Sequence, residues 1–319
     1  MDEKYICTKD TVNETIGKYG VAIIPNILND AECDNMIKEM WNYLEHISED
    51  FLIPINRHDM NSWESIYNLN GGSLLFEFWN IGHSQMLWDQ RQNPKIVEVF
   101  AKIWNVKPEE LLASFDGASI EIPPEITNYG WYEDNIPFYH TDQSYATPEF
   151  KYVQSWVTAN DVNPGDATLA FFESSNKYHS EFSELFNVKD PKDWYLLSKK
   201  ELEFYSSRCI EKKISCPRGS LVLWDGRTIH CGIQSSINRW KPNIRCINYL
   251  CYLPRSQSNE ENILLKQQAL LDLQTTTHNP CIIRFKSRTP YLEIQDESQF
   301  IKKINPPYLT DLGKKLAGF

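Results

Sequence analysis

The residues whose types and spacing could do chemistry are His140, Asp142 and His230. In Tyr139-His140-Thr141-Asp142 an imidazole and a carboxylate stand two apart. On an extended strand, side chains at i and i+2 point the same way, so His140 and Asp142 converge while Thr141 points away. Two imidazoles and one carboxylate cover one face of an iron(II) ion and leave the other face open. A bare His-x-Asp arises often by chance. The second element is Leu221-Val222-Leu223-Trp224-Asp225-Gly226-Arg227-Thr228-Ile229-His230-Cys231-Gly232, an apolar strand, a polar turn and a histidine beside small residues. Small neighbours suit the close approach of a ligand to its metal. By itself, His230 reads equally well as a hydrogen-bonded core histidine.

Cations follow. Arg239 lies nine residues after His230 and Arg245 fifteen after it. Arg245 opens the apolar strand Cys246 to Leu250, so a charge sits at the threshold of the core and calls for a partner. A guanidinium matches a carboxylate with two parallel hydrogen bonds, which an ammonium cannot do. The plain alternative is a rim arginine at a strand end. Candidate substrate walls are His83 and Gln85, in a polar-aromatic segment, and Trp131, Tyr132 and Tyr139 just ahead of the triad. Helix capping and core packing are their competing readings. Asp225 and Arg227 read as a pair bracing the His230 turn. His179 and His278 read as surface groups or neighbours of the ligands. No glycine-rich phosphate loop and no Ser-His-Asp pattern competes.

These residues need a scaffold, and its elements are legible. Gly20 to Pro25 is a buried strand bounded by turn formers. Asn29-Asp30 caps a helix from Ala31 to about His46, with Cys33, Met36, Ile37, Met40, Trp41 and Leu44 on one face. Asn70-Gly71-Gly72 reads as a turn. A second helix runs from Lys95 to Trp104. Strands are expected over 115–122, 152–162, 168–172, 220–224 and 245–253. A polar, partly helical insertion fills 176–208, and helices over 263–273 and 309–316 close the chain. This order predicts an α+β, β-rich protein: a double-sheet jelly roll over about 111–255, with helices over about 1–110 and 256–319, all in one domain. An open antiparallel sheet is the other architecture the pattern permits. The insertion and the segment 48–90 read as lids.

Composition narrows the partners. Hydrophobic residues make up 41% and charged ones 24%, ordinary for a chain that buries a core. Net charge is −11, which repels nucleic acid and anionic membrane at long range and favours a small-molecule substrate or a protein partner. Eight cysteines without a Cys-x-x-Cys pair read as buried reduced thiols, which suits a cytoplasmic or nuclear setting. Neither a signal peptide nor an apolar membrane span is visible.

With those motifs in view, the sequence resembles the phytanoyl-CoA dioxygenase-like branch of the Fe(II)/2-oxoglutarate-dependent dioxygenases. The likeness rests on His140-Thr141-Asp142, on Trp224-Asp225-x-Arg227-Thr228-x-His230, and on an arginine opening a strand. Gly20 to Leu28, Ala31 to Leu44 and Pro164 to Leu169 extend it over most of residues 15–255. The resemblance implies a double-stranded β-helix, iron held by His140, Asp142 and His230, and 2-oxoglutarate held by Arg245 or Arg239. Strand context favours Arg245, and the family's usual spacing lies nearer Arg239. It further implies dioxygen as oxidant, ascorbate as reductant, and hydroxylation of an unactivated C–H bond with release of succinate and carbon dioxide. Where many members carry Pro-Gly-Ser-His, this chain reads Glu173-Ser174-Ser175-Asn176, a departure at the substrate rim. A catalytically idle binding module on the same fold, and a cupin-type metalloenzyme without a 2-oxo acid, are the competing classes.

Overall fold

A computed structural model describes residues 2–69, 74–128, 130–131, 136–239, 241–285 and 300–319. The Asn70-Gly71-Gly72 turn and Tyr132 lie outside the described residues. Eleven strands are seen among those described. They are β1 (Val21–Ile24), β2 (Leu111–Ala113), β3 (Ala118–Glu121), β4 (His140–Thr141), β5 (Val153–Thr158) and β6 (Thr168–Phe172). After them come β7 (Tyr195–Leu196), β8 (Glu211–Lys213), β9 (Leu221–Asp225), β10 (His230–Ile233) and β11 (Arg245–Pro254).

The strands form two antiparallel sheets. The larger has the order β1-β9-β5-β11-β2, with β3 also on β11, and the smaller runs β7-β4-β10-β6-β8. This is the double-stranded β-helix of a jelly roll rather than one open sheet. Alternation along β9 shows how it is filled. Leu221 and Leu223 face the helices and join Met36, Met40, Leu44, Ile96, Val97 and Phe100 in the main core. Val222 and Trp224 face inward and meet Trp156, Leu169, Phe171 and Ile247 from both sheets. Apolar residues on both faces make the larger sheet a continuous hydrophobic layer, as its sequence reads.

Local chemistry sets the helices that back this sheet. Asn29 caps the helix Asp30–Ile47 through a capping box with Glu32. Asn93 caps Pro94–Trp104, whose first residue is a proline already at helical φ. Helices Glu260–Leu271 and Asp311–Leu316 follow the last strand. All eight cysteines are free and buried. No helix among the described residues is long and apolar enough to cross a membrane.

Most of the insertion after β6 is not a lid. Phe182, Phe204 and Tyr205 are buried against Tyr139, Phe172, Ile229 and Cys231 on the outer face of the smaller sheet. Only its stretch around 192–194 reaches the cavity between the sheets. Of the segment 48–90, Leu74, Leu75 and Glu77 line that cavity.

Candidate metal centre

His140 and His230 are ninety residues apart in the chain and directly opposite each other on β4 and β10. Opposed residues on antiparallel strands project to the same face as near neighbours. Their ring centroids are 4.4 Å apart. Asp142 follows β4 by one residue and is positioned by the turn after β9. The Gly226 carbonyl accepts from both the Asp142 and Gln143 amides, at 3.0 and 2.9 Å. A Cβ at Gly226 would lie 2.8 Å from the Tyr152 ring, so this approach demands glycine. Asp225 and Arg227 brace the turn as the sequence suggests. Arg227 Nε and Nη2 donate to the two Asp225 carboxylate oxygens at 3.0 and 2.7 Å.

One potential ligand atom from each of His140, Asp142 and His230 lies within 4.8 Å of the others, and all three side chains are buried. The hydrogen bonds fix the histidine tautomers. Each Nδ1 sits 2.9 Å from a backbone carbonyl, of Phe138 for His140 and of Thr228 for His230. A carbonyl only accepts, so each Nδ1 carries the proton and each Nε2 presents a lone pair. Those lone pairs face the Asp142 carboxylate, His140 Nε2 at 3.7 Å and His230 Nε2 at 3.4 Å. Three electron-rich atoms thus converge with no donor hydrogen between them, which fits a divalent cation. Trp224 Nε1 donates to Asp142 Oδ2 at 3.0 Å and orients the carboxylate.

Electrostatics agree. Burial pushes the His140 imidazole down to about 4, with His230 adding to the fall, so it is neutral. Burial raises the Asp142 carboxyl, but His230, His278 and His140 together with the Trp224 N–H outweigh it and leave it below its ordinary value. The site therefore offers a neutral His140 imidazole, the inward Nε2 lone pair of His230 and one carboxylate charge.

The triad opens into a cavity of about 540 Å³. Arg245 lines it, while Arg239 does not. Arg239 is already committed, as its Nε and Nη2 form two parallel bonds to Glu125 at 2.7 and 2.6 Å. Its Nη1 reaches Asp166 at 3.1 Å. Arg245 donates from Nε to Ser119 Oγ and from Nη1 to the Ala167 carbonyl, at 2.6 and 2.5 Å. Among the described residues its Nη2 has no hydrogen-bond partner and the guanidinium no ion pair. The nearby Glu121 carboxyl is pushed up to about 7 by burial, against the pull of Arg245 and Arg239.

Four predicted wall residues are not brought to the cavity. Tyr139 precedes His140 by one position, so strand alternation turns its ring to the opposite face, onto Phe172. His83 is fully buried, its Nε2 2.9 Å from the Gln274 carbonyl and its ring edge-on to Phe115. Gln85 binds Asp89 and accepts from the Tyr308 amide on the helix side. Trp131 bridges to Ser235 and is absent from the lining. The residues that do line it, Phe138, Trp156, Trp194, Trp224, Tyr249 and His278 among them, escaped the sequence reading as a set. The signal available for two of them was an aromatic next to a charged or ligand residue, Phe138 near His140 and Trp194 after Asp193. His278 reaches the site from beyond β11, next to Tyr152. His179 is buried and stacked on Tyr145.

Comparison with known proteins bears on this geometry. No family model matches the chain. It is 23% identical to Ava biosynthesis cluster protein O of Aspergillus versicolor, over 82% of this chain and 83% of that protein. It is also 23% identical to a Dictyostelium discoideum protein provisionally named phytanoyl-CoA dioxygenase, over 77% of this chain and 76% of the relative. Among solved structures it is similar to the epimerase SnoN in complex with Fe3+, α-ketoglutarate and nogalamycin RO. That likeness has a TM-score of 0.51 at 12% identity, over 77% of this chain and 84% of SnoN, and it concerns the fold. A two-sheet jelly roll with His, Asp and His gathered inside it is the architecture of the non-haem iron oxygenases. The chain's sequence is similar to a relative named for the phytanoyl-CoA dioxygenases, at 23% identity.

Proposed function

We propose that the protein is an Fe(II)- and 2-oxoglutarate-dependent dioxygenase that hydroxylates an unactivated C–H bond of a small-molecule substrate. The observation that carries this reading is the convergence of His140 Nε2, His230 Nε2 and the Asp142 carboxylate, with both Nδ1 protons tied to backbone carbonyls. In this reading those three residues hold the iron. Bound there with 2-oxoglutarate, dioxygen and ascorbate as reductant, the metal supplies the oxidation, with succinate and carbon dioxide as coproducts.

The protein's own residues supply the setting. Asp142 contributes one negative charge, and the lone pairs of the two histidines leave the centre cationic enough to attract a dicarboxylate. Arg245 anchors the distal carboxylate of 2-oxoglutarate from a buried position on the cavity wall. Arg239 has its donors engaged by Glu125 and Asp166 and serves the fold instead. Trp156, Trp224 and Tyr249 wall the cavity with apolar surface and keep bulk water from the open face of the metal. The intact donor set speaks against an idle binding module. A cavity-facing guanidinium with an unused donor speaks against a metalloenzyme that needs no 2-oxo acid.

Mass spectrometry of metabolites from cells expressing the protein under ¹⁸O-labelled dioxygen tests the reaction. A metabolite heavier by one labelled oxygen, absent with Asp142→Ala, is expected. Identical metabolite profiles for the two proteins would contradict the reading.

A further inference from the structure

Four large apolar side chains at the cavity mouth stay half-exposed: Phe138 at 44%, Trp194 at 45%, Ile282 at 43% and Phe285 at 42%. Two of them flank a metal-site histidine. The Phe138 ring lies nearly parallel to the His140 imidazole, 6° between planes and 5.5 Å between centroids. Trp194 stands 5.5 Å from the same imidazole at 40°. Deeper in, Trp156, Trp224 and Tyr249 continue the aromatic lining.

Trp194 is held there at a cost. Its backbone is left-handed, with φ of 70°, a region that bulky side chains rarely enter. Three contacts enforce it. The Trp194 N–H donates to the Asp142 carbonyl at 3.0 Å, and Leu196 and Tyr195 pair with His140 and Thr141 as β7 adds to the edge of β4. The polar insertion therefore delivers one strained indole to the mouth and fixes it against the metal-bearing strand. It does not tuck that ring into the aromatic core formed by its own Phe182, Phe204 and Tyr205.

Resting on the reading of this cavity as the active site, we propose that Trp194 and Phe138 are specificity-determining residues that receive a flat, uncharged aromatic ring system of the substrate. Rings presented at a half-exposed edge gain most from a planar partner, by burial and by offset or edge-on stacking. A cavity of about 540 Å³ suits a multi-ring body beside the cosubstrate better than a free amino acid.

The test uses the whole protein loaded with Co(II) and 2-oxoglutarate and titrated calorimetrically with 1,8-dihydroxyanthraquinone, 1-dodecanol and L-leucine. The anthraquinone should bind most tightly, and Trp194→Gly and Phe138→Ala should each weaken it roughly tenfold. Glycine accepts the left-handed backbone, so Trp194→Gly should melt no lower than the unaltered protein. Equal affinity in both variants, or tighter binding of dodecanol or leucine, would overturn the proposal. The visible absorption of Co(II), and its change on adding 2-oxoglutarate, report on the metal centre without the probe. A normal cobalt response with no anthraquinone binding removes only the ring clamp. An absent cobalt response in the unaltered protein removes the functional reading beneath it.

Discussion

His140, Asp142 and His230 act through lone pairs, so the sharpest predictions at the residue scale concern what those lone pairs hold. Asp142→Ala leaves two imidazole lone pairs and no carboxylate charge, and iron affinity should fall by more than about 100-fold in a metal titration. Trp224→Phe keeps the ring but removes the N–H that orients Asp142, and such outer contacts typically change affinity by about 10- to 100-fold. The two arginines separate cleanly. Arg245→Ala should raise the KM for 2-oxoglutarate by roughly 30- to 100-fold, the loss of a charge-assisted pair. Arg239→Ala should leave that KM nearly unchanged and instead destabilise the fold by about 1–3 kcal/mol, because Asp166 and Glu125 lose their partner. Steady-state kinetics beside thermal melts distinguish the two, and the reverse ranking would put the cosubstrate at Arg239.

At the scale of elements, the centre depends on the turn after β9 meeting the residues after β4. Gly226→Ala pushes a methyl group into Tyr152 and Gln143 and so displaces Asp142. Metal affinity should drop markedly while the helices and most strands persist, a difference that far-ultraviolet circular dichroism and a cobalt titration read together. This is also where sequence reading worked best and where it ended. The strand Thr168–Phe172 and the histidine turn were legible because alternation, Asn-Pro-Gly-Asp turn chemistry and apolar runs are local properties. The cross-strand pairing of His140 with His230 was inferable only as a metal site, since register is a property of the closed sheet. Tyr139 reads as a substrate wall, yet the alternation that turns His140 inward turns the Tyr139 ring onto Phe172. The role of the insertion was hidden because Phe182, Phe204 and Tyr205 pack on a sheet face far away in sequence. His83 read as polar and turned out to be buried against Phe115.

Across the whole molecule, the fold also buries cations outside the metal cavity, Arg91 and Lys266 among them. Lys266 is fully buried, donates to the Ala113 carbonyl and lies 3.6 Å from the Phe115 ring centroid. Desolvation drives its pKa from 10.5 down to about 7. Between those values the unfolded chain holds a proton that the folded chain has released, so this group makes stability rise with pH from about 7 to 10.5. Below that window its cost is fully present. Lys266→Met should therefore stabilise the protein by roughly 1–3 kcal/mol near neutrality, with the gain shrinking towards high pH in denaturant titrations. The chemistry belongs to the cavity the two sheets enclose. Its most direct test is release of labelled carbon dioxide from 1-¹⁴C-2-oxoglutarate by purified protein with Fe(II) and ascorbate. Slow release is expected even without substrate, dependent on iron and abolished by His140→Ala or Asp142→Ala. Release that persists unchanged in those variants, or none from the iron-loaded protein with any substrate, would contradict this chemistry.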